Sequence, residues 1–270
     1  MATSEVVTGE QKVIAPTPEE ILEYGDKSAE AWRQFRSGKV PRKVWHKALQ
    51  MIIEGRQIEL SKSQLQAQAE LGQDFITPEE AAKYLGYTLT DEDIAGLSEL
   101  KLRSGRVLTL DDLRREKGKR VLHPVLPVSV LEMRERFGVD PEKQPCFREK
   151  QDQYLNLRQT EFASAKPLKP YWNFIAKDAK EDSFDTSWDN QEKLLSSAER
   201  RTMALEVGQA AFQYFQKTGI RLYRDFYAWC SDAHGEFRVN AGYFIEDGFN
   251  FYCIHLGYVW HLHGLVLSLE

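Results

Sequence analysis

The sequence predicts an α+β fold: a helical N-terminal half, then a long C-terminal helix packed on an antiparallel β-meander. Three observations carry this reading. A Thr-Pro-Glu-Glu helix start occurs twice, at Thr17 and at Thr77, with the cap, the N1 proline and the acidic first turn that a helix N-terminus favours. After Gly219 the hydrophobic period changes from 3.6 residues to 2. Within that second pattern, Glu246-Asp247-Gly248 separates two alternating runs, which is the mark of a hairpin turn.

Composition narrows the class. At 270 residues, 42% hydrophobic and 11% aromatic, the chain can bury one large core or two small ones and is too aromatic to be disordered throughout. A formal charge of −5 excludes a body that coats nucleic acid or a membrane with its whole surface, while leaving room for local basic patches. No run approaches the roughly 18 to 20 apolar residues of a membrane helix, so no membrane partner is expected. The opening MATSEVVTGEQKV lacks the charged-then-apolar build of a secretory signal. Three separated cysteines, Cys146, Cys230 and Cys253, give an odd count with no CxxC, so a reducing, cytoplasmic setting is expected.

Taken in order, residues 1–16 read as a flexible tail. A helical region follows over 17–136 with two related modules, 17–57 and 77–120. Each module opens on TPEE, continues through a Tyr and a Gly (Tyr24 and Gly25; Tyr84 and Gly86), and reaches a near-identical pentapeptide, RSGKV at Arg36–Val40 and RSGRV at Arg103–Val107. Between the pentapeptides, Trp45, Leu49, Ile52 and Ile53 keep helical spacing, and residues 58–71 continue helically. Thr109 to Asp112 is a further capping box. Proline-marked loop and one short helix fill HPVLPVSVLEMRERFGVDPEKQP, which places a boundary between Val121 and Pro145. Residues 137–195 read as a loop-rich connection and 196–270 as the helix-plus-sheet domain. There Ser196 and Glu199 form a capping box, Met203, Val207, Ala211 and Phe215 form the helical stripe, and Gly219 ends it. A strand over Leu222–Trp229 is the weakest element, since the segment also fits a helix.

Two constellations bear on function. In the run FYCIHLGYVWHLHGLVL, read as one strand, Tyr252, Ile254, Leu256, Tyr258, Trp260 and Leu262 form an apolar face, with Cys253, His255, His261 and His263 on the other. Cysteine and histidine are ligands for zinc or another divalent metal. Residues i and i+2 on a strand face lie roughly 6.5 to 7 Å apart, so one ion takes at most a neighbouring pair, with His261 and His263 the nominated metal ligands. The HxH spacing invites comparison with cupin barrels, but the next carboxylate is Glu270, too far along, and that family is not carried over.

The second constellation is TPEEILEYGDKSAEAWRQFRSGKVPRKV. It resembles the opening of MerR- or excisionase-type winged helix-turn-helix domains through Thr17–Glu20, the turn near Gly25 to Ser28, and Arg36–Pro41, over fewer than 30 of the 270 residues. The resemblance implies DNA contact. Arg33, Arg36, Lys39, Arg42 and Lys43 in the first module, with Arg103 and Arg106 in the second, are the nominated nucleic-acid-binding residues, because phosphates are contacted by such cations. The chain departs from the pattern in two places: a helix follows Pro41 where a wing belongs, and Asp91-Glu92-Asp93 opens what would be a recognition helix.

No phosphate loop, dinucleotide fingerprint, HExxH, GxSxG or EF-hand loop is present. The expectation is therefore a non-enzymatic accessory or regulatory binding protein. Its basic helical half would contact nucleic acid or an acidic partner. Its aromatic C-terminal sheet would meet a protein partner or a second copy of the chain. The alternative is a metal-dependent or cysteine enzyme using the Cys253, His255, His261 and His263 strand face.

Overall fold

In the computed structural model, residues 59–151, 155–257, 259 and 261–270 are described. The tail 1–16, the module 17–57 with Arg33, Arg36, Lys39, Arg42 and Lys43, and the aromatic residues Tyr258 and Trp260 lie outside the described residues. From Leu60 to Glu270 the chain forms one unit of mixed helices and sheets, an α+β fold.

The helix starts expected at Thr77 and Thr109 are present, and Ser61, Thr90 and Ser129 add three more of the same kind. Helix α1 (Lys62–Leu71) is capped by Ser61 with Gln64, α2 (Pro78–Leu85) by Thr77 with Glu80, and α3 (Asp91–Leu97) by Thr90 with Asp93. Helix α4 (Leu110–Glu116) is capped by Thr109 with Asp112, and α5 (Val130–Phe137) by Ser129 with Glu132. In each, side chain and backbone exchange bonds reciprocally, satisfying two of the N–H groups a helix start leaves open. Gly86 ends α2 at φ 67°, and Arg136 lies where a Cβ would stand, donating to the terminal carbonyls of Tyr84 (3.0 Å) and Lys83 (3.1 Å). Between α3 and α4, Lys101 pairs with Val107, so the second RSGR motif is the tip of a small hairpin.

The helical region contains a strand that the prolines conceal. Strand β1 (Arg120–Val125) runs through His123-Pro124 and pairs antiparallel with β2 (Tyr171–Ala176), inside the segment expected to be loop. The first sheet has the order β1-β2-β8-β3, its last two members being the short strands β8 (Leu267–Leu269) and β3 (Glu199–Arg201). Ser196 does bond Glu199, as its spacing suggests, at 2.9 Å. Yet residues 199–201 are paired along β8, so the long helix α8 (Ala204–Thr218) begins later, capped by Met203 and Glu206, and ends on Gly219 at φ 74°.

Alternation along the first sheet divides two cores. Val121, Val125 and Ile175 join one cluster with α8; Leu122, Trp172 and Phe174 join another with Leu71, Leu97, Leu108 and Leu113 of the small helices. The first cluster extends from Ile76 to Val266, so segments separated in the sequence reading share one core. Every residue of α8 from Ala204 to Tyr214 is buried. A helix surrounded on all sides is a central helix, and α8 touches both the first sheet and a second one.

That second sheet has the order β6-β5-β4-β7, formed by β4 (Tyr227–His234), β5 (Phe237–Ile245), β6 (Gly248–His255) and β7 (His263–Gly264). Glu246 and Asp247 make the expected two-residue turn, closing the Ile245–Gly248 pair. The strand predicted over Leu222–Trp229 begins only at Tyr227; Tyr223, at φ 57°, stands in the turn before it. The edge of β6 is covered along Phe249–Phe251. Arg148 N–H donates to the Phe249 carbonyl at 2.9 Å, and the buried Gln151 amide bonds both Phe251 N–H (2.7 Å) and its carbonyl (2.6 Å). Gln151 thus stands in for a strand neighbour, a cover for an edge that would otherwise template pairing. Among the described residues no helix is long and apolar enough to cross a membrane.

Candidate functional site on the outer face of the second sheet

Register fixes which side chains share a face. The inner face, against α8, carries Ala228 and Cys230 of β4, Val239 and Ala241 of β5, and Phe249, Phe251 and Cys253 of β6. The outer face carries Trp229, Asn240 and Tyr252 in one row, Tyr227 and Asn250 flanking Gly242 in the next, and Arg238 beside Ile254. Among the described residues, β7 adds His263 next to Tyr227.

This arrangement corrects the continuous-strand reading of the histidine-rich run. Strand β6 ends at His255 and the chain turns at Leu256-Gly257, so His261 and His263 are not on the strand that carries Cys253. The phase is also the reverse of the expected one. Phe249 and Phe251 meet Phe212 and its neighbours in the core, which turns the odd positions inward and Tyr252 outward. Cys253 goes with them; burial pushes its thiol up to about 11, the opposite of what a nucleophile or metal ligand needs. His261 is exposed while His263 is buried, its ring 5.4 Å from that of Trp229. Burial, helped by His261, lowers the His263 imidazole to about 4, so it is neutral at physiological pH. No group of three or more His, Cys, Asp or Glu among the described residues is placed to hold a metal.

The outer face is organised around stacked rings and guanidinium groups. Trp188, on the single-turn helix α7 (Trp188–Glu192), lies 5.5 Å from Trp229. The Arg201 guanidinium sits 3.6 Å from the Trp188 ring centre and that of Arg238 5.2 Å away. Arg201 is fixed by Gln191 and Glu192, each at 2.9 Å. Tyr227 stacks on Tyr243 at 5.3 Å and 9°, and its hydroxyl accepts from Asn250 at 2.9 Å. Four polar atoms on this face, Trp229 Nε1, Arg238 Nε, Asn240 Oδ1 and Asn250 Oδ1, are buried with no hydrogen-bond partner among the described residues. Leaving such groups unpaired costs about 1–3 kcal/mol each.

The nominated cations of the second module are engaged differently. Arg106 bonds Asp112 at 2.6 Å and the Glu270 carbonyl at 2.8 Å. Asp112 takes Arg115 as well, and although burial opposes it, Thr109 and the two arginines hold its carboxyl far below the usual range. Arg114 pairs with Glu70, and the buried Arg120 with Glu116 and Glu199. Arg103 rests on the Met203 sulfur. The acidic start of α3 is a cap, Asp93 closing on Thr90, with Asp91 and Glu92 exposed.

Sequence reasoning missed the Trp188–Arg201 stack, the strand-mimicking Gln151, and the buried polar stripe Glu206, Gln209 and Gln213 on α8. Only the last carried a signal, its spacing of three and four residues placing all three on one helix face. Comparison with family models, with curated proteins and with solved structures finds no significant match.

Proposed function

We propose that this protein works by binding, as an accessory or regulatory protein, and that it docks a protein partner on the outer face of its second sheet. The observation that carries the reading is the composition of that face. Tryptophan, tyrosine and arginine, the residues that dominate interface energetics, are gathered there, with Trp188, Arg238, Tyr243 and Tyr252 partly exposed. Among the described residues the short α7 and His263 of β7 lie against Trp229 from that side, whereas the inner face is closed by the whole of α8. Arg238 supplies a cation with no carboxylate bound to it among the described residues.

The test is association of the full chain with and without Arg238→Glu and Tyr252→Ala. Light scattering across a concentration series reads self-association, and cross-linking in native extract followed by mapping of the linked residues reads a hetero-partner. Complexes cross-linked through β4–β6 and lost in the variants, with the unfolding midpoint unchanged, support the proposal. A chain that stays monomeric and cross-links only through other surfaces would sink it. DNA contact rests on the N-terminal cations, Arg33, Arg36, Lys39, Arg42 and Lys43. A mobility shift that fades steeply with salt, and is lost when these five are neutralised, is its separate measure.

A further inference from the structure

Polar groups also converge at the start of α8. Glu206 is fully buried and fully engaged: Arg200 reaches both its oxygens (2.5 and 2.8 Å), the Tyr171 hydroxyl donates at 2.7 Å, and Met203 N–H donates at 2.9 Å. Burial alone would raise this carboxyl, but Arg200 outweighs it and holds the group below its ordinary value. Glu206 is therefore a fixed anion with no capacity left for a ligand.

Asp232 of β4 is different. Its Oδ2 accepts the Ala204 N–H at 2.6 Å, which caps α8, while Oδ1 has no side-chain partner among the described residues. Burial raises its carboxyl, with the neighbouring Glu206 charge adding to that. Asp232 lines a cleft of about 150 Å³ whose walls include the apolar Phe162, Pro167 and Leu205 beside Tyr171 and Met203. Two cations also line it. Lys166 is already held by Glu132 at 2.5 Å, whereas Arg103 touches only the Met203 sulfur and has no carboxylate partner among the described residues.

A cleft that offers one uncommitted anion, one uncommitted cation and an apolar wall between them selects a ligand with the complementary triple. Helix capping needs one carboxylate oxygen and leaves the second unexplained. A half-buried carboxylate facing an exposed guanidinium that it does not bond loses solvation without gaining an ion pair, and a ligand bridging the two would restore both contacts. A volume of this size lies below that of a drug-sized pocket and leaves room for a molecule no larger than a single amino acid. We propose that this cleft binds a small apolar α-amino acid as its zwitterion, the ammonium donating to Asp232 Oδ1, the carboxylate accepting from Arg103, and the side chain lying on Phe162, Pro167 and Leu205. The site is separate from the docking face, and its occupancy does not depend on a protein partner.

The test is calorimetric titration of the full chain with L-leucine, beside L-leucinamide, which lacks the carboxylate, and 4-methylpentanoate, which lacks the amine. Leucine is expected to bind at least about tenfold more tightly than either analogue, as loss of a charge-assisted contact requires. Asp232→Asn keeps an oxygen for the Ala204 N–H and should lose at least about tenfold in leucine affinity with its unfolding midpoint unchanged. Arg103→Gln, on the rim and outside the core, should weaken leucine and leave leucinamide as it was. Absence of leucine binding to the wild-type chain, binding of either analogue as tight as that of leucine, or leucine affinity unaffected by both substitutions would overturn the proposal.

Discussion

The two faces of the second sheet are made by the same strands and do opposite things. On the inner face, every side chain finds apolar company. Phe212 of α8 alone meets Phe137, Phe147, Phe244 and Phe249 with ring centres between 4.7 and 5.6 Å apart. On the outer face, rings alternate with amides and guanidinium groups, and four donors or acceptors have no partner among the described residues. One strand thus serves two ends because its side chains alternate. The inner face holds the fold together; the outer face holds chemistry that the fold does not need. Removing side chains from each should therefore give different losses.

The largest loss is expected from the inner face. Phe212→Ala deletes a fully buried ring at the junction of α8, β5 and β6 and should cost about 3–5 kcal/mol. Against a total stability of about 5–15 kcal/mol, that brings the chain close to unfolding. Urea denaturation followed by tryptophan fluorescence measures it, and a loss below about 1 kcal/mol would mean that the aromatic cluster is not the centre of the core.

Acid sensitivity draws on both sides of the comparison. His123, buried where β1 meets α8, and His263, on the outer face, both have imidazoles lowered to about 4, chiefly by burial. Their folded pKa lies below the unfolded value near 6.5, so the unfolded chain binds more protons between the two. Their contribution is complete above pH 6.5 and is lost as the pH falls toward 4, by up to about 3 kcal/mol for each histidine. His263→Asn should flatten its share of that acid limb and leave the share of His123. An acid limb identical to that of the wild type would show that His263 is protonated in the folded state.

How much of this was legible in the sequence depends on how local each cause is. Caps and turns are local. Thr77 with Glu80, Thr109 with Asp112, the stops at Gly86 and Gly219, and the Glu246-Asp247 turn all stand where residue types alone put them. Strand β1 was hidden because Pro124 reads as loop, although its neighbours supply the pairing with β2. The strands β3, β7 and β8 are two or three residues long and have no period to detect. The phase of β6 is set by the meeting of Phe249 with Phe212, far back along the chain, and alternation by itself cannot say which face is inward. The site divides the same way. An aromatic surplus near the C-terminus was readable, but a stack of Trp188, Arg201, Trp229 and Arg238 is assembled by tertiary packing.

Trp188→Ala tests the outer face at intermediate strength. The indole contacts Arg201, Arg238 and Trp229 but belongs to neither core cluster, so its loss should cost about 1–2 kcal/mol, the scale of one cation–π contact and one ring pair. A loss as large as that of Phe212→Ala would make the outer face a second core and remove the distinction between the two.

The smallest stability change and the most informative one belong to Arg238→Glu. Arg238 is half-buried, makes no ion pair with a described residue, and leaves its Nε unbonded, so the folded chain gains little from its charge. Its replacement removes one cation–π contact with Trp188 and one buried unpaired Nε, effects of about 1 kcal/mol each that oppose one another, so the net change in stability should be no more than about 0.5 kcal/mol. A partner that meets this face, however, meets a reversed charge beside Trp188, and like-charge contacts at interfaces cost several kcal/mol. The expected outcome is a normal unfolding curve together with lost association. A normal curve with association intact places the partner elsewhere, whereas a collapsed curve shows that the guanidinium is part of what holds β5 in place. Because the inner and outer side chains of β5 alternate, Val239→Ala one residue away provides the internal control: it should lower stability by about 1–2 kcal/mol and leave association as it was.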